Sequence, residues 1–135
     1  MRLEPHPPSL ADFIALRAAE GWGEISQDTA RASLKGGLVT VCAYERDTLA
    51  GFGRVVGDGV LYFYIQDLIV APPFRGKGYG RAMLDHLLAN IKKQAAPGAT
   101  IGLMAAHGKE AFYESFGFVA RPTEACGAGM TQVIA

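Results

Sequence analysis

Two kinds of apolar spacing alternate along the chain, and they predict its elements. After the proline-rich start Met1 to Pro8, read as extended, Leu10, Phe13, Ile14 and Leu16 fall at helical spacing. Ser9 stands where an N-cap belongs, with Asp12 three residues on imitating a capping box. This first helix runs to about Glu20, where Gly21-Trp22-Gly23 breaks it. A second, short helix is capped by Ser26 or Asp28, ends near Lys35, and is stopped by Gly36-Gly37. Leu38 to Tyr44 and Leu49 to Val56 read as strands of a hairpin around Glu45-Arg46-Asp47-Thr48. Gly57-Asp58-Gly59 is a turn.

Leu61 to Val70 follows as the central strand, rich in Tyr, Phe, Ile and Val. Its odd positions are apolar up to Ile65; Asp67 then breaks the alternation, and Leu68 and Val70 resume it out of phase. A β-bulge near Gln66 to Leu68 produces such a shift, although burial on both faces would also remove the need for alternation. Pro72 and Pro73 end the strand. From Gly78 to about Lys93, Met83, Leu84, Leu87, Leu88 and Ile91 mark a long helix. Ala96-Pro97-Gly98 connects it to a strand from Thr100 to Ala105. A strand, a helical crossover and another strand imply a parallel pair. Lys109 to Phe116 is a short helix ended by Gly117. Phe118 to Arg121 and Met130 to Ile134 read as closing strands around a glycine-containing loop.

The turn Arg75-Gly76-Lys77-Gly78-Tyr79-Gly80 opens the long helix and carries the chemistry. The first N–H groups of a helix lack partners and its dipole is positive there, so a phosphate fits. Glycines let the backbone come close to a ligand. Arg75, Lys77 and Arg81 add charge, and Arg75 can offer a bidentate fork. The turn therefore reads as a pyrophosphate cradle. It is neither a P-loop, lacking Gly-Lys-Ser/Thr, nor a Rossmann fingerprint, lacking the first glycine.

Val70-x-Pro72-x-x-Arg75-Gly76-x-Gly78-x-Gly80 resembles the acetyl-CoA-binding motif of the GNAT superfamily of N-acetyltransferases. About thirty residues on, Tyr113-Glu114-Ser115-Phe116-Gly117-Phe118 resembles that family's Tyr-x-x-x-Gly-Phe segment. The resemblance covers roughly Leu61 to Phe118. It implies an α/β (α+β) GNAT fold: a mixed, mostly antiparallel sheet of six to seven strands, splayed between two central parallel strands and flanked by about four helices. It implies one N-acetyltransferase domain over residues 1–135. It also implies a bulge in the central strand and direct attack of an amine on acetyl-CoA.

What the resemblance implies for residues is specific. The backbone of Leu68, Ile69 and Val70 would pair with the pantetheine arm, and an N–H near Leu68 would hold the oxyanion. The amides from Gly76 to Arg81, with Arg75, Lys77, Gly78, Tyr79 and Gly80 among them, would take the pyrophosphate. Tyr113 matches the general acid that protonates the leaving thiolate; without the resemblance it would read equally well as a core aromatic. Asp67 is the nearest candidate base or ammonium holder, or else a satisfied polar group at the bulge. In polyamine acetyltransferases of the family an acid occupies this strand position, but Gln66 stands where those proteins have a second one. His107 replaces a frequent asparagine; it would contact the cofactor arm, relay a proton or cap the following helix. Trp22, Tyr62, Tyr64 and Gln66 are candidates for the acceptor pocket, the aromatics being equally suited to a core.

Composition bounds the rest. A chain of 135 residues, half apolar and with thirteen basic against thirteen acidic side chains, suits one globular domain. Zero net charge gives no support to nucleic-acid or membrane binding. Cys42 and Cys126 read as reduced thiols, no apolar run reaches membrane-spanning length, and the start is no signal peptide, so a cytoplasmic protein is expected. No metal spacing is evident. The expected acceptor is an amine on a small molecule or a peptide, with the small molecule favoured; a homodimer is compatible with this reading. The competing reading is a non-catalytic GNAT-fold module that binds acyl-CoA as a sensor or interaction partner. A nucleotide-binding protein is a more distant alternative.

Overall fold

The computed structural model describes all residues, Met1–Ala135. The chain divides into two compact units, Met1–Gly102 and Leu103–Ala135.

The first unit is built on a sheet in the order β1-β2-β3-β4-β5. Its strands are β1 (Arg2–Glu4), β2 (Val39–Glu45), β3 (Thr48–Gly57), β4 (Tyr62–Val70) and β5 (Thr100–Leu103). The first three pairings are antiparallel. Helix α3 (Tyr79–Gln94) carries the chain from β4 back to β5. The Ala96 N–H donates to the Val60 carbonyl at 2.9 Å and the Thr100 N–H to that of Leu61 at 2.8 Å, so β5 starts beside the start of β4. Two neighbouring strands that start together run the same way, which gives the expected parallel pair.

Helix α1 (Leu10–Ala19) is capped by Ser9, whose hydroxyl accepts from the Asp12 N–H at 3.1 Å. Helix α2 (Gln27–Leu34) is capped by Ser26, which accepts from the Thr29 N–H at 3.1 Å. Phe13, Leu16 and Ala30 of these helices bury against Cys42, Phe52 and Ile69 of the sheet. Phe13 meets Phe52 edge to face, 5.7 Å between centroids.

The opposite face carries α3. Met83, Leu84, Leu87 and Ile91 are buried. Gly51 and Gly53 make room for them: a Cβ at Gly51 would lie 2.7 Å from both the Met83 Cε and the Ile69 carbonyl oxygen, and one at Gly53 would lie 3.0 Å from Leu87 Cδ1. The sheet is thus covered on both sides, and β3 is buried almost throughout.

The bulge in β4 lies where expected. Ile65 pairs with Val55 and Asp67 with Arg54, so Gln66 is the unpaired extra residue. Consecutive β3 residues face opposite ways, so Ile65 points with Val55 while Asp67 points with Arg54 to the other side. Yet Phe63, Ile65, Asp67 and Ile69 are all buried. The strand switches faces, and each face has a cover waiting. The broken alternation thus has both causes considered from sequence, a bulge and two-sided burial.

In the second unit, α4 (Glu110–Glu114) runs into a turn at Gly117, whose φ of 91° lets the Phe118 N–H return to the Tyr113 carbonyl at 3.3 Å. Phe112 packs on Phe116 at 5.4 Å, and Tyr113 on Phe118 at 6.0 Å. The closing strands expected over Phe118 to Arg121 and Met130 to Ile134 are absent, so the sheet has five strands rather than six or seven. After Phe118 the chain turns on itself instead: Arg121 Nε donates to the Gly127 carbonyl at 2.6 Å and the Thr123 N–H to that of Cys126 at 2.8 Å. Met130, Val133 and Ile134 stay about nine-tenths exposed, so the apolar segment that suggested a strand has no partner.

Gly51→Ala tests the close approach of α3. Because backbone as well as a side chain occupies the space, we expect a loss of about 1–3 kcal/mol by urea unfolding. Wild-type stability would show that the helix can yield.

Candidate functional site

The strand-turn-helix from β4 to α3 is laid out for an anion. Pro72–Phe74 forms one 3-10 turn after β4. Gly76 and Gly78 then take φ of 75° and 90°, values L side chains rarely adopt, and nothing lies within 4 Å of where either Cβ would be. Gly78 is the N-cap of α3, with no side-chain cap bond. The opening amides of a 16-residue helix therefore meet an open approach, with Lys77 and Arg81 exposed beside them. These residues fit a diphosphate.

Two members of the motif are held by their own neighbours. Arg75 donates from Nε to the Val70 carbonyl at 3.2 Å and from Nη2 to Glu20 Oε1 at 2.6 Å, which ties the turn to the end of α1. The Tyr79 ring is buried, stacks edge to face on Phe74 at 5.7 Å, and donates its hydroxyl to Glu45 Oε2. Its side chain anchors α3 to the end of β2; only its amide remains for a ligand.

Leu68, Ile69 and Val70 pair with Gly53, Phe52 and Gly51 of β3 along one edge. On the other edge β5 is four residues long against nine in β4, and it starts at the level of Leu61. As a strand it ends before the level of Leu68, so β5 forms no ladder with that part of β4.

Asp67 is 0% exposed and Arg54 4%. Arg54 Nε donates to Asp67 Oδ2 at 2.9 Å, and its Nη1 to the Ser33 carbonyl at 2.8 Å and the Ser33 hydroxyl at 3.2 Å. Asp67 Oδ1 has no hydrogen-bond partner. Burial pushes the Asp67 carboxyl up, and the Arg54 guanidinium pulls it part of the way back. Arg54 also stands over the Phe13 ring, 5.4 Å from its centroid. Arg54 and Ser33 escaped the sequence reading; a charged residue inside the apolar run Leu49 to Val56 was the available signal.

Gln66 is exposed at the bulge and Tyr64 is half-buried beside Gly102. Tyr62 is exposed, away from any core. Trp22 is 43% exposed, with the Arg17 guanidinium 5.7 Å over its ring. Within the second unit, Tyr113 is half-buried and its burial raises the phenol pKa. His107 is exposed in the turn before α4. Cys42 and Cys126 are both free, and burial lifts the Cys42 thiol to about 11. No group of His, Cys, Asp or Glu could hold a metal, and no helix is long and apolar enough to cross a membrane.

The family model described as "Acetyltransferase (GNAT) domain" matches residues 11–133, across both units. The chain belongs to the GNAT acetyltransferase family. A crystal structure of a protein of unknown function from meticillin-resistant Staphylococcus aureus, described as a probable acetyltransferase, is 32% identical, with a TM-score of 0.88 over 98% of each chain. An uncharacterized N-acetyltransferase ycf52-like of Prochlorococcus marinus is 26% identical over 84% of this chain and 64% of its own length. The chain thus spans just under two thirds of that relative. Serotonin N-acetyltransferase 2, chloroplastic, of rice is 34% identical over 53% of this chain and 34% of its own. The GNAT fold expected from the two motifs is the fold observed, with fewer strands.

Gly78→Asp would set a carboxylate in the cradle with no steric conflict. It should weaken coenzyme A binding at least about 100-fold by calorimetry, while the backbone strain costs only about 1–2 kcal/mol of stability. Unchanged affinity would show that the diphosphate sits elsewhere.

Proposed function

We propose that this GNAT protein transfers an acetyl group from acetyl-CoA to an amine by direct attack. The observation that carries the reading is the open glycine turn at the head of α3, next to the stretch of β4 that β5 does not reach. Acetyl-CoA, when bound, supplies the thioester. The amides from Gly76 to Arg81 hold its diphosphate, and Leu68 and Val70 pair with its extended arm as an added strand would. An N–H near Leu68 holds the oxyanion, an effect often worth ~3–4 kcal/mol.

In the reaction an N–C bond forms as the C–S bond breaks. The amine gives up a proton and the thiolate takes one. Asp67 Oδ1, the carboxylate oxygen without a partner, receives the amine's proton directly or through an ordered water. Its raised pKa makes it a better base than an exposed aspartate. Tyr113 protonates the thiolate. Its raised pKa keeps the phenol neutral, and so able to donate, to higher pH, but makes each transfer more uphill. His107 contacts the cofactor arm. A small-molecule acceptor fits best, with Trp22, Tyr64 and Gln66 lining its approach. The name of the rice relative associates that protein with an amine acceptor, serotonin.

Thiol release from acetyl-CoA in the presence of an amine panel tests the reading; coenzyme A binding with no turnover on any amine would make the chain a binder instead. Tyr113→Phe should lower kcat at least about tenfold with little change in acetyl-CoA affinity. Because the phenol's pKa lies above its ordinary value of about 10, the wild-type kcat should show no alkaline fall from Tyr113 below about pH 10. Equal turnover in Tyr113→Phe would assign Tyr113 to packing alone.

A further inference from the structure

We propose that Arg17 selects an acceptor whose amine sits close to an anionic group: an amino acid or another amino carboxylate, with Asp67 taking the amino end and Arg17 the acid end. The inference rests on the acetyl-transfer reading and names its acceptor class.

The charges on the α1–α2 face of the sheet do not close among themselves. Arg54 is paired with Asp67 Oδ2 through Nε and with Ser33 through Nη1. Arg17 is not. No carboxylate lies within ion-pair distance of it, and its Nε is buried without a hydrogen-bond partner. Its guanidinium lies over two aromatic rings, Phe13 at 5.9 Å and Trp22 at 5.7 Å. A ring face attracts the charge but accepts nothing in the guanidinium plane, so the N–H edge stays unspent. The second such atom is Asp67 Oδ1, on a side chain that is 0% exposed; it has no partner in hydrogen-bond geometry, although the Gln66 side chain bears on the carboxyl from the bulge. The two belong to one neighbourhood: Arg17 and Arg54 both stand over Phe13, and the charge of Arg17 acts on Asp67.

A buried donor and a buried acceptor left unmet each cost free energy. A molecule with an ammonium and a carboxylate satisfies both at once. A diamine would satisfy Asp67 and set a second cation against Arg17. An arylalkylamine with no anionic group would leave Arg17 as it is. The arrangement therefore favours amino carboxylates over both. Trp22 is the sole tryptophan of the chain, so occupancy beside Arg17 has its own optical signal.

The test uses the full chain, acetyl-CoA, and the common L-amino acids matched with their carboxamides, read by thiol release and by Trp22 fluorescence. Wild type should favour at least one free amino acid over its amide by about tenfold or more in kcat/KM. Arg17→Met should erase that preference, raising KM for the acid about tenfold or more relative to the amide, so that the acid-to-amide ratio of kcat/KM falls to about one. Arg17→Lys should keep part of it. If Arg17→Met fails to melt cooperatively, Arg17→Gln and Arg17→Lys carry the comparison. Equal kcat/KM for every acid and amide pair, or a preference that survives loss of Arg17, would overturn the proposal and leave a shared water as the partner of the two atoms. The two readings fail separately. Thiol release with no acid preference keeps acetyl transfer and sinks the amino carboxylate. Arg17-dependent quenching of Trp22 by amino acids, with no thiol released, keeps the site and sinks acetyl transfer.

Discussion

The buried pair between Arg54 and Asp67 is the constraint on which the rest of this structure depends. It joins the two strands at the first register position beyond the bulge, where Asp67 faces Arg54 and Gln66 is left over. Taking two charges out of water is costly, and a pair this deep is kept only if its hydrogen bonds are well met. Arg54 meets that demand by reaching past Asp67 to the end of α2, where Ser33 accepts from it twice. One side chain thus fixes three elements: the register of β3 and β4, the position of α2, and the ring of Phe13 in α1. Breaking the pair from one side strands a charge in the core; replacing both partners by apolar residues removes the charges but also the marker of register.

From that register follows the geometry of the site. Because β4 switches faces at Gln66, its first half presents Ile65 toward α3 and its second half presents Asp67 and Ile69 toward α1 and α2. The two covers are different layers, and β4 serves both in turn by way of its bulge. The strand then runs past the end of β5, stops at two prolines, and delivers the chain to glycines with positive φ. The amides that open α3 are left with room in front of them. Glu20 and Glu45 complete the frame, one holding Arg75 and the other the Tyr79 hydroxyl, so the turn is braced from α1 and from β2.

What could be read from the sequence was what local chemistry decides. Ser9 and Ser26 cap helices because a hydroxyl there meets an amide three residues on, whatever the rest of the chain does. The apolar spacing of Met83 to Ile91 and the bulge at Gln66 were legible for the same reason. The partner of Asp67 was not, since it depends on which residue of β3 the register brings opposite. Nor was the fate of Met130 to Ile134: a strand needs an edge to pair with, and pattern alone does not supply one. Among the site residues, Tyr79 and Arg75 illustrate the limit. Their positions in the motif were clear, but the carboxylates that hold them come from 34 and 55 residues away in the chain.

The central claim is that the head of α3 and the end of β4 beyond the reach of β5 receive one ligand together. The most direct measurement is a titration of the isotope-labelled chain with coenzyme A, following backbone amides by NMR. The account predicts that Gly76, Gly78, Gly80 and Arg81 shift along one saturable curve, and that Leu68 and Val70 shift with the same midpoint. Saturable binding that leaves these amides unmoved would contradict it.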